Sequence, residues 1–245
     1  MKVWVNSRRK EEYVSNMKVT CLCFAGSPNQ LMVISASAKA LWNTVAGGNS
    51  SYAVLGPEGV GTFGGMRAPA ILFDGSLQTR FTSYGNSPNG SNAIAGLNTG
   101  FSVIAGICPS ILNGFVMATC TNNTNRSPLT LTIEGSNYTD NLDMGSRWTL
   151  IYNGSSGLDN TDIAATDGLY QMVNANGTYR SYRFLITAKR GKKSNVVCYS
   201  EVKLYGVYDS STPPSMNGNS PKYYERKKKK IFFFFETRRT CPIAY

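Results

Sequence analysis

The chain has 245 residues, 42% of them hydrophobic and 16% charged, so it is long enough to bury a substantial core. Its net charge of +11 is concentrated at the ends, because residues 1–18 carry five basic and two acidic side chains, residues 222–245 carry eight and two, and residues 19–221 carry twelve and ten. The nearly neutral body argues against nucleic-acid binding, and no apolar run approaches the roughly 18 residues of a transmembrane helix.

The first 45 residues are predicted to be a basic N-terminal segment outside the folded domain. A secretory signal sequence is expected to begin at Met17, since apolar stretches follow Lys18 and Ala36-Ser37-Ala38 has the small side chains of a cleavage site. We therefore expect a secreted or extracellular protein. Asn-x-Ser/Thr sequons favour the same setting, and they begin at Asn49, Asn89, Asn122, Asn125, Asn137, Asn153 and Asn176.

Six cysteines allow up to three disulfides, and Cys21 and Cys23 would leave with the signal sequence. Among the other four, Cys108 and Cys120 are the pair that we favour, although spacing does not determine connectivity. A zinc site is not expected, because Cys21-x-Cys23 has no second pair and the chain contains no histidine.

A glycine-rich stretch at residues 46–65 includes Gly59-Val-Gly61-Thr-Phe-Gly64, which has the spacing of a dinucleotide-binding G-x-G-x-x-G. That chemistry requires a helix N-terminus directed at the pyrophosphate. Because Pro69 follows where the helix would begin, we interpret the stretch as a loop.

From residue 70 onward, short apolar runs separated by turn signals predict a set of β-strands. Strict alternation is clearest in Leu129-Thr-Leu-Thr-Ile-Glu134, whose apolar positions share one face. In the last strand, Val202 and Leu204 are expected to face inward and Glu201 and Lys203 outward. The predicted strands cover residues 101–107, 111–118, 129–134, 147–152, 169–173, 182–188 and 196–205. No long helical period competes, so the pattern predicts an all-β sandwich.

Residues 209–245 are predicted to be a linker followed by a basic low-complexity tail, because Ser210–Pro221 contains three prolines. The run Lys227–Phe235 places four lysines before Ile-Phe-Phe-Phe-Phe. It has two interpretations, which are low-complexity sequence and a weak anchor to a membrane surface.

Catalysis is hard to assemble from this composition, so the chain is not expected to be an enzyme. Without histidine it lacks the commonest general base and every His-dependent triad. The acid pairs Asp140/Asp143 and Asp159/Asp162 lie in polar loops, where carboxylates are normally solvated. The basic cluster at residues 190–193 is interpreted either as a solvated turn or as a contact for sulfated glycans or anionic lipid head groups.

The segment from Ala70 to Thr79 joins an apolar stretch to a tight turn that displays several oxygen atoms. A hard cation such as Ca²⁺ takes about six to eight oxygen ligands, many of them backbone carbonyls. An Asx turn explains Asp74 equally well on local grounds. The residues alone leave both interpretations open.

The stretch Phe73-Asp-Gly-Ser-Leu-Gln-Thr-Arg-Phe81 resembles the Asp-Gly-x-x-x-Thr-Arg-Trp turn of the discoidin (coagulation factor V/VIII C-type) family. Residues 129–137, 148–154, 182–184 and 200–206 are similar to later segments of that family in the same order. The resemblance covers roughly residues 65–208, and we expect the discoidin-like domain to span residues 46–208.

The resemblance implies a jelly-roll β-sandwich, also called galactose-binding-like, which binds carbohydrates, phospholipid head groups or protein partners through loops at one end. It also implies a structural Ca²⁺. The implied cation ligands are oxygens of Ala70, Asp74, Ser76, Thr79 and Glu201. A salt bridge from Arg80 or Lys203 to one of the two acids is the alternative.

The chain departs from the family pattern at three points. Ser76 stands where Asp or Asn is frequent, which is expected to weaken cation binding. Phe81 replaces the usual Trp, which changes packing only. No clear cysteine pair brackets the domain ends, so the terminal disulfide of the blood-clotting members is not expected.

We therefore predict a non-catalytic extracellular recognition module that binds carbohydrate or another cell-surface ligand. The expected ligand contacts are loop side chains with aromatic rings, amides or guanidinium groups, namely Arg80, Tyr84, Asn86, Tyr138 and Arg190. The alternative is a structural or adhesive domain that binds anionic lipid or a protein partner. A third hypothesis, a fragment of a carbohydrate-active enzyme, requires two carboxylates in one cleft.

Overall fold

The computed structural model describes residues 29–31, 33–64, 68–86, 93–106 and 108–209. In these ranges the chain forms thirteen β-strands and three short 3₁₀ helices, at Pro69–Phe73, Thr124–Arg126 and Gly145–Arg147. None of the helices in the described ranges is long and apolar enough to span a bilayer.

The strands belong to two sheets. Sheet A contains β1 (Asn29–Gln30), β4 (Val54–Leu55), β5 (Thr62–Gly64), β6 (Phe81–Ser83), β8 (Ser110–Thr119), β11 (Gln171–Met172) and β13 (Val197–Tyr208). Sheet B contains β2 (Ile34–Trp42), β3 (Ser51–Tyr52), β7 (Thr99–Ile104), β9 (Pro128–Ser136), β10 (Thr149–Ser155) and β12 (Ser181–Lys189).

The strand order is β11-β8-β13-β6-β5-β4 in sheet A, with β1 paired to β13, and β10-β9-β12-β7-β2-β3 in sheet B. All pairings between these strands are antiparallel except β4 with β5. Consecutive strands β6, β7, β8 and β9 alternate between the sheets, as in a jelly roll. The predicted all-β jelly-roll sandwich is confirmed, and all seven of the predicted strands are present.

The core lies between the sheets and is built from the alternating apolar positions. On β12, Tyr182, Phe184 and Ile186 are fully buried, as their even spacing predicts. The rings of Phe101 and Phe184 stack with centroids 4.9 Å apart, and Phe115 meets Phe184 edge-on at 5.7 Å. Such offset and edge-on aromatic contacts contribute beyond the apolar area that they bury.

Part of the other face of sheet B is also buried, which the sequence pattern did not indicate. Glu134 on β9 lies directly opposite Arg183 on β12, and neither is exposed to solvent. Arg183 Nε donates to Glu134 Oε2 at 2.6 Å, and the Gly47 amide donates to Glu134 Oε1 at 2.7 Å. The Trp148 ring covers the guanidinium at 4.8 Å. Loops around residues 47 and 148 therefore cover this face.

The predicted domain start at residue 46 is wrong. Strand β2 pairs with β3 and β7 inside sheet B, and Leu31, Ala40 and Leu41 are buried. The proposed cleavage site, residues 36–38, lies within β2, so cleavage there would remove most of a central strand. The rest of the N-terminal segment, residues 1–28, and the predicted tail from residue 210 onward lie outside the described residues.

The favoured disulfide is also wrong, since Cys120 is bonded to Cys198 with their Cα atoms 5.4 Å apart. Cys108 and Cys120 flank opposite ends of the ten-residue strand β8. Ten residues of strand span about 33 Å, far beyond the reach of a disulfide. Cys198 lies close to Cys120 instead, because their neighbours Tyr199 of β13 and Thr119 of β8 are paired in the antiparallel register.

Candidate functional site

A β-bulge in β13 directs Glu201 toward the turn that follows the first 3₁₀ helix. Tyr199 pairs with Thr119 and Val202 pairs with Met117, so β13 has one more residue than β8 across this interval. Tyr199 and Val202 both lie in the core, although their spacing is odd. The extra residue leaves Glu201 free to reach the turn at residues 74–79, where its carboxylate accepts a hydrogen bond from the Gly75 amide at 3.1 Å.

Asp74 organises this turn. Its Oδ1 accepts hydrogen bonds from the Ser76 amide at 2.8 Å and from the Thr79 hydroxyl at 3.2 Å. Gly75 has a φ of +75°, a left-handed conformation that glycine adopts without a steric cost. The Asx-turn interpretation therefore describes the local geometry correctly, and the turn brings together Asp74, Ser76, Thr79 and Glu201.

Glu201 is a buried acid, with 3% of its surface exposed. Burial and, to a lesser extent, the nearby Asp74 carboxylate raise the pKa of Glu201 to about 7, and the hydrogen bond from the Gly75 amide partly opposes both. No described residue forms an ion pair with either acid, because Lys203 pairs with Asp167 and Arg80 has no ion-pair partner among the residues described. No salt bridge to either acid is therefore formed among the described residues, although Lys203 lowers the pKa of Glu201.

The donor set at this turn suits a hard cation better than a transition metal. Asp74 and Glu201 supply carboxylate oxygens, Thr79 and Ser76 supply hydroxyl and carbonyl oxygens, and Ala70 lies in the adjoining 3₁₀ helix. The described residues contain no cluster of three His, Cys, Asp or Glu side chains. A cation here would thus depend on two carboxylates and several neutral oxygens, the chemistry of Ca²⁺.

A cavity of about 530 Å³ adjoins the same acids. Its walls combine Asp74, Gly75 and Glu201 with the apolar side chains of Phe73, Leu31, Val33, Val202 and Leu204. Two carboxylates thus share one cleft, which the enzyme hypothesis required. In each of the other acid pairs one carboxylate is taken up by an ion pair, Asp140 with Arg147 and Asp162 with Arg190.

Arg80 and Tyr84 flank β6, whose Phe81 lies in the core. The Thr82 hydroxyl and the Tyr84 ring both lie close to Gly64, so Thr82 and Tyr84 share one side of the sheet. The Tyr84 ring lies over Gly64, where the Cβ of any larger residue would be 3.1 Å from the phenol oxygen. Arg80 is exposed, and Tyr84 is partly exposed.

Arg126 is a residue of this site that the sequence pattern does not reveal. Burial and Glu58 raise the pKa of Tyr84, whereas Arg126 and Arg80 lower it, so the phenol lies in the field of two guanidinium groups. Arg126 has no ion pair in the described ranges, and its buried Nε has no hydrogen-bond partner there. Its polar surroundings, residues 122–127, carry no periodic signal that could have indicated it. We call Arg80, Tyr84 and Arg126 the arginine–tyrosine cluster.

The structure separates the other predicted ligand residues. The Asn86 amide donates to Asn43 Oδ1 at 3.1 Å beside Tyr84, which brings a second polar loop to the cluster. Arg190 is bound to Asp162 and to the Leu158 carbonyl. Tyr138 follows β9 at the start of β12, at the opposite end of the sandwich from Arg190, and stacks under Arg147 at 4.1 Å. Tyr138 therefore cannot act together with the others.

No protein-family model and no curated protein matches the chain. Among solved structures, truncated AlyQ with CBM32 and alginate lyase domains is 15% identical, with a TM-score of 0.42, and the match covers 74% of this chain and 34% of that one. The chain thus spans about a third of that protein.

Two smaller solved domains match over most of their own length. A CBM32 from Clostridium perfringens in complex with GalNAc-beta-1,3-galactose is 13% identical, with a TM-score of 0.43, over 72% of this chain and 99% of that one. The F5/8 type C domain of a Bacteroides fragilis protein is 11% identical, with a TM-score of 0.39, over 57% and 80%. Each of these matches is a likeness of fold to a carbohydrate-binding or F5/8 type C domain at low sequence identity.

Proposed function

We propose that the chain is a non-catalytic module that binds carbohydrate through the arginine–tyrosine cluster, with a structural Ca²⁺ at Asp74 and Glu201. Its extracellular setting is supported by the Cys120–Cys198 disulfide, since such bonds persist in oxidising compartments. The ligand class that fits is a glycan bearing a carboxylate or sulfate group.

The observation that carries this proposal is that Arg126 and Arg80 both lower the pKa of Tyr84 and neither forms an ion pair among the described residues, while Glu58 acts on the phenol in the opposite sense. A planar guanidinium binds a carboxylate or sulfate through paired hydrogen bonds. A partly exposed phenol ring adds an apolar face for a sugar ring and a hydroxyl for its polar edge. Asn43 and Asn86 add amides at the margin.

The first test uses an acidic disaccharide, digalacturonate, and its uncharged counterpart, digalactose. Arg80→Ala and Arg126→Ala are each expected to weaken digalacturonate binding by about tenfold, the loss of roughly 1.4 kcal/mol of charge-assisted contact. Isothermal titration calorimetry at two salt concentrations measures both the affinity and its electrostatic part.

The matched control is Arg180→Ala, which removes the same charge next to the start of β12, at the other end of the sandwich. An equal loss of affinity in that variant would mean that net charge alone is responsible. Binding to phosphatidylserine vesicles without binding to either disaccharide would favour the lipid-binding alternative.

Calcium should decide whether glutamate or glutamine at position 201 gives the more stable protein. At pH 8, above the pKa of about 7, Glu201 is ionised, buried and close to Asp74. The protonated carboxyl of Glu201 stabilises the fold fully below its ordinary pKa of about 4.5, and this stabilisation is lost as the pH rises through about 7. With chelator, Glu201→Gln should therefore melt above the parent. With calcium at about 100 times its Kd, the parent should gain about 2.7 kcal/mol and melt above the variant.

Asp143→Asn is the control for the calcium experiment, because Asp143 is a loop acid distant in sequence from the turn and should leave the calcium gain unchanged. Melting curves that coincide with calcium and with chelator would contradict a cation site. Turnover of nitrophenyl glycosides by the parent, abolished by Glu201→Gln, would instead make the two acids a catalytic pair.

A further inference from the structure

A second cavity lies on sheet A at the edge formed by β11. It has a volume of about 500 Å³, within the range of small-molecule sites, roughly 300–1,000 Å³. It is lined by Asn113 of β8 and by the segment that contains and follows β11, namely Tyr170, Met172, Val173, Asn174, Ala175 and Asn176. We call it the amide groove. It shares no residue with the arginine–tyrosine cluster or with the Asp74 turn.

The backbone holds this groove in a fixed shape. Met172 of β11 pairs with Gly114 of β8, and the Val173 amide donates to the Asn113 carbonyl at 2.8 Å. The Tyr170 hydroxyl donates to the same carbonyl at 3.1 Å, and its ring packs edge-on against Tyr205 at 5.6 Å. A side chain at position 114 would overlap the Tyr170 hydroxyl, since a Cβ there would lie 2.1 Å from it. Glycine at position 114 therefore leaves the space that the Tyr170 side chain occupies.

The groove presents hydrogen-bonding groups that the protein does not use. Within the described part of the chain, the side-chain amides of Asn113 and Asn174 have no hydrogen-bond partner in the protein. Two amides therefore offer both donors and acceptors to a ligand at one place. Met172 is 68% exposed and Tyr170 is 47% exposed, so apolar and aromatic surface lies beside these amides.

The chemistry of the lining identifies the class of ligand. All of the lining side chains are neutral, so neither an anion nor a cation is favoured. Lys203 of β13 forms an ion pair with Asp167. A neutral sugar combines hydroxyl groups, which amides bind, with an apolar ring face, which packs on aromatic and thioether surface.

We propose that the amide groove is a second carbohydrate site, specific for neutral sugars and independent of the arginine–tyrosine cluster. The two sites would give the module two separate contacts with a glycan or with neighbouring glycans. Linked weak sites raise the overall affinity above that of either one. This inference does not require the arginine–tyrosine cluster to bind, because the cluster is proposed to select anionic glycans and the amide groove neutral sugars.

The test is an NMR titration of the ¹⁵N-labelled full chain, produced in the bacterial periplasm so that Asn176 carries no N-linked glycan. The probes are galactose, N-acetylgalactosamine and glucose as neutral sugars, and glucuronate as the charged one. Neutral sugars should shift the backbone amides of Gly114, Val173 and Asn174. Asn174→Ala and Tyr170→Ala should each raise the Kd for these shifts by about tenfold.

Tyr52→Ala is the matched control, because Tyr52 is a tyrosine of similar exposure, 43%, on an edge strand of sheet B. It should leave the shifts unchanged. The proposal is overturned if no neutral sugar at tens of millimolar shifts these amides, or if glucuronate shifts them equally. It is also overturned if Met172→Lys abolishes a concentration-dependent dimer in sedimentation, since the exposed surface would then be a protein interface.

Discussion

Glu134→Ala is expected to lower the free energy of unfolding by about 3–5 kcal/mol, the largest effect of any single substitution considered. Glu134 accepts hydrogen bonds from Arg183 and from the Gly47 amide, and both charged side chains are fully buried. Removing the carboxylate leaves the Arg183 guanidinium buried without a counter-charge. It also releases the loop that covers sheet B. Urea unfolding followed by circular dichroism measures the change.

The matched control is Asp140→Ala, which breaks the exposed ion pair with Arg147. Asp140 has 77% of its side chain exposed, so the loss there should stay within about 1 kcal/mol. The double variant Glu134→Leu with Arg183→Met should lose less than the two single variants added together, because no unpaired charge remains. Equal losses for Glu134→Ala and Asp140→Ala would contradict the role that we assign to burial.

Loss of the Cys120–Cys198 disulfide has the second largest expected effect. The bond joins residues 78 apart in sequence, and a crosslink that closes a long loop restricts the unfolded chain. Replacing both cysteines by alanine should cost about 2–4 kcal/mol. Alanine is chosen because a buried serine hydroxyl would add a desolvation penalty of its own.

Single replacement of Cys120 should cost about as much as the double replacement, because either change removes the same crosslink. If the double variant unfolds at the same urea concentration as the parent, the disulfide contributes nothing and the pairing of β8 with β13 is sufficient. A single variant much worse than the double one would indicate damage from the unpaired thiol.

The later half of the fold could be predicted because its strands alternate clearly. Leu131 and Ile133 face the core as their spacing requires, and so do Tyr182 and Phe184. Strand β2 was missed because its Ser-Ala-Ser-Ala stretch, residues 35–38, gives little contrast between its two faces. The buried Glu134 looked like an exposed position, since alternation reports which residues share a face and not whether a loop covers that face.

The candidate site was partly predictable. Gly75 and Glu201 are 126 residues apart, so only the resemblance to the discoidin family, and not spacing, could place Glu201 beside the Asp74 turn. Arg80 and Tyr84 were predicted because loop guanidinium and aromatic groups suit anionic groups and sugar rings. Arg126 was missed, and Tyr138 was grouped with the wrong end of the sandwich, because loop side chains meet through the topology, which residue patterns do not encode.

The bulge at Ser200 and Glu201 constrains how the length of β13 can change. Upstream of it, Val197 and Tyr199 face the core at odd positions, and downstream of it Val202 and Leu204 face the core at even positions. Deleting one residue here would restore a regular ladder with β8. The side chains on one side of the deletion would then point to the opposite face of the sheet. Glu201 would then lose its place opposite Asp74, or Val202 and Leu204 would be turned toward solvent. The extra residue therefore sets the register of β13, on which both the core contacts and the position of Glu201 near Asp74 depend.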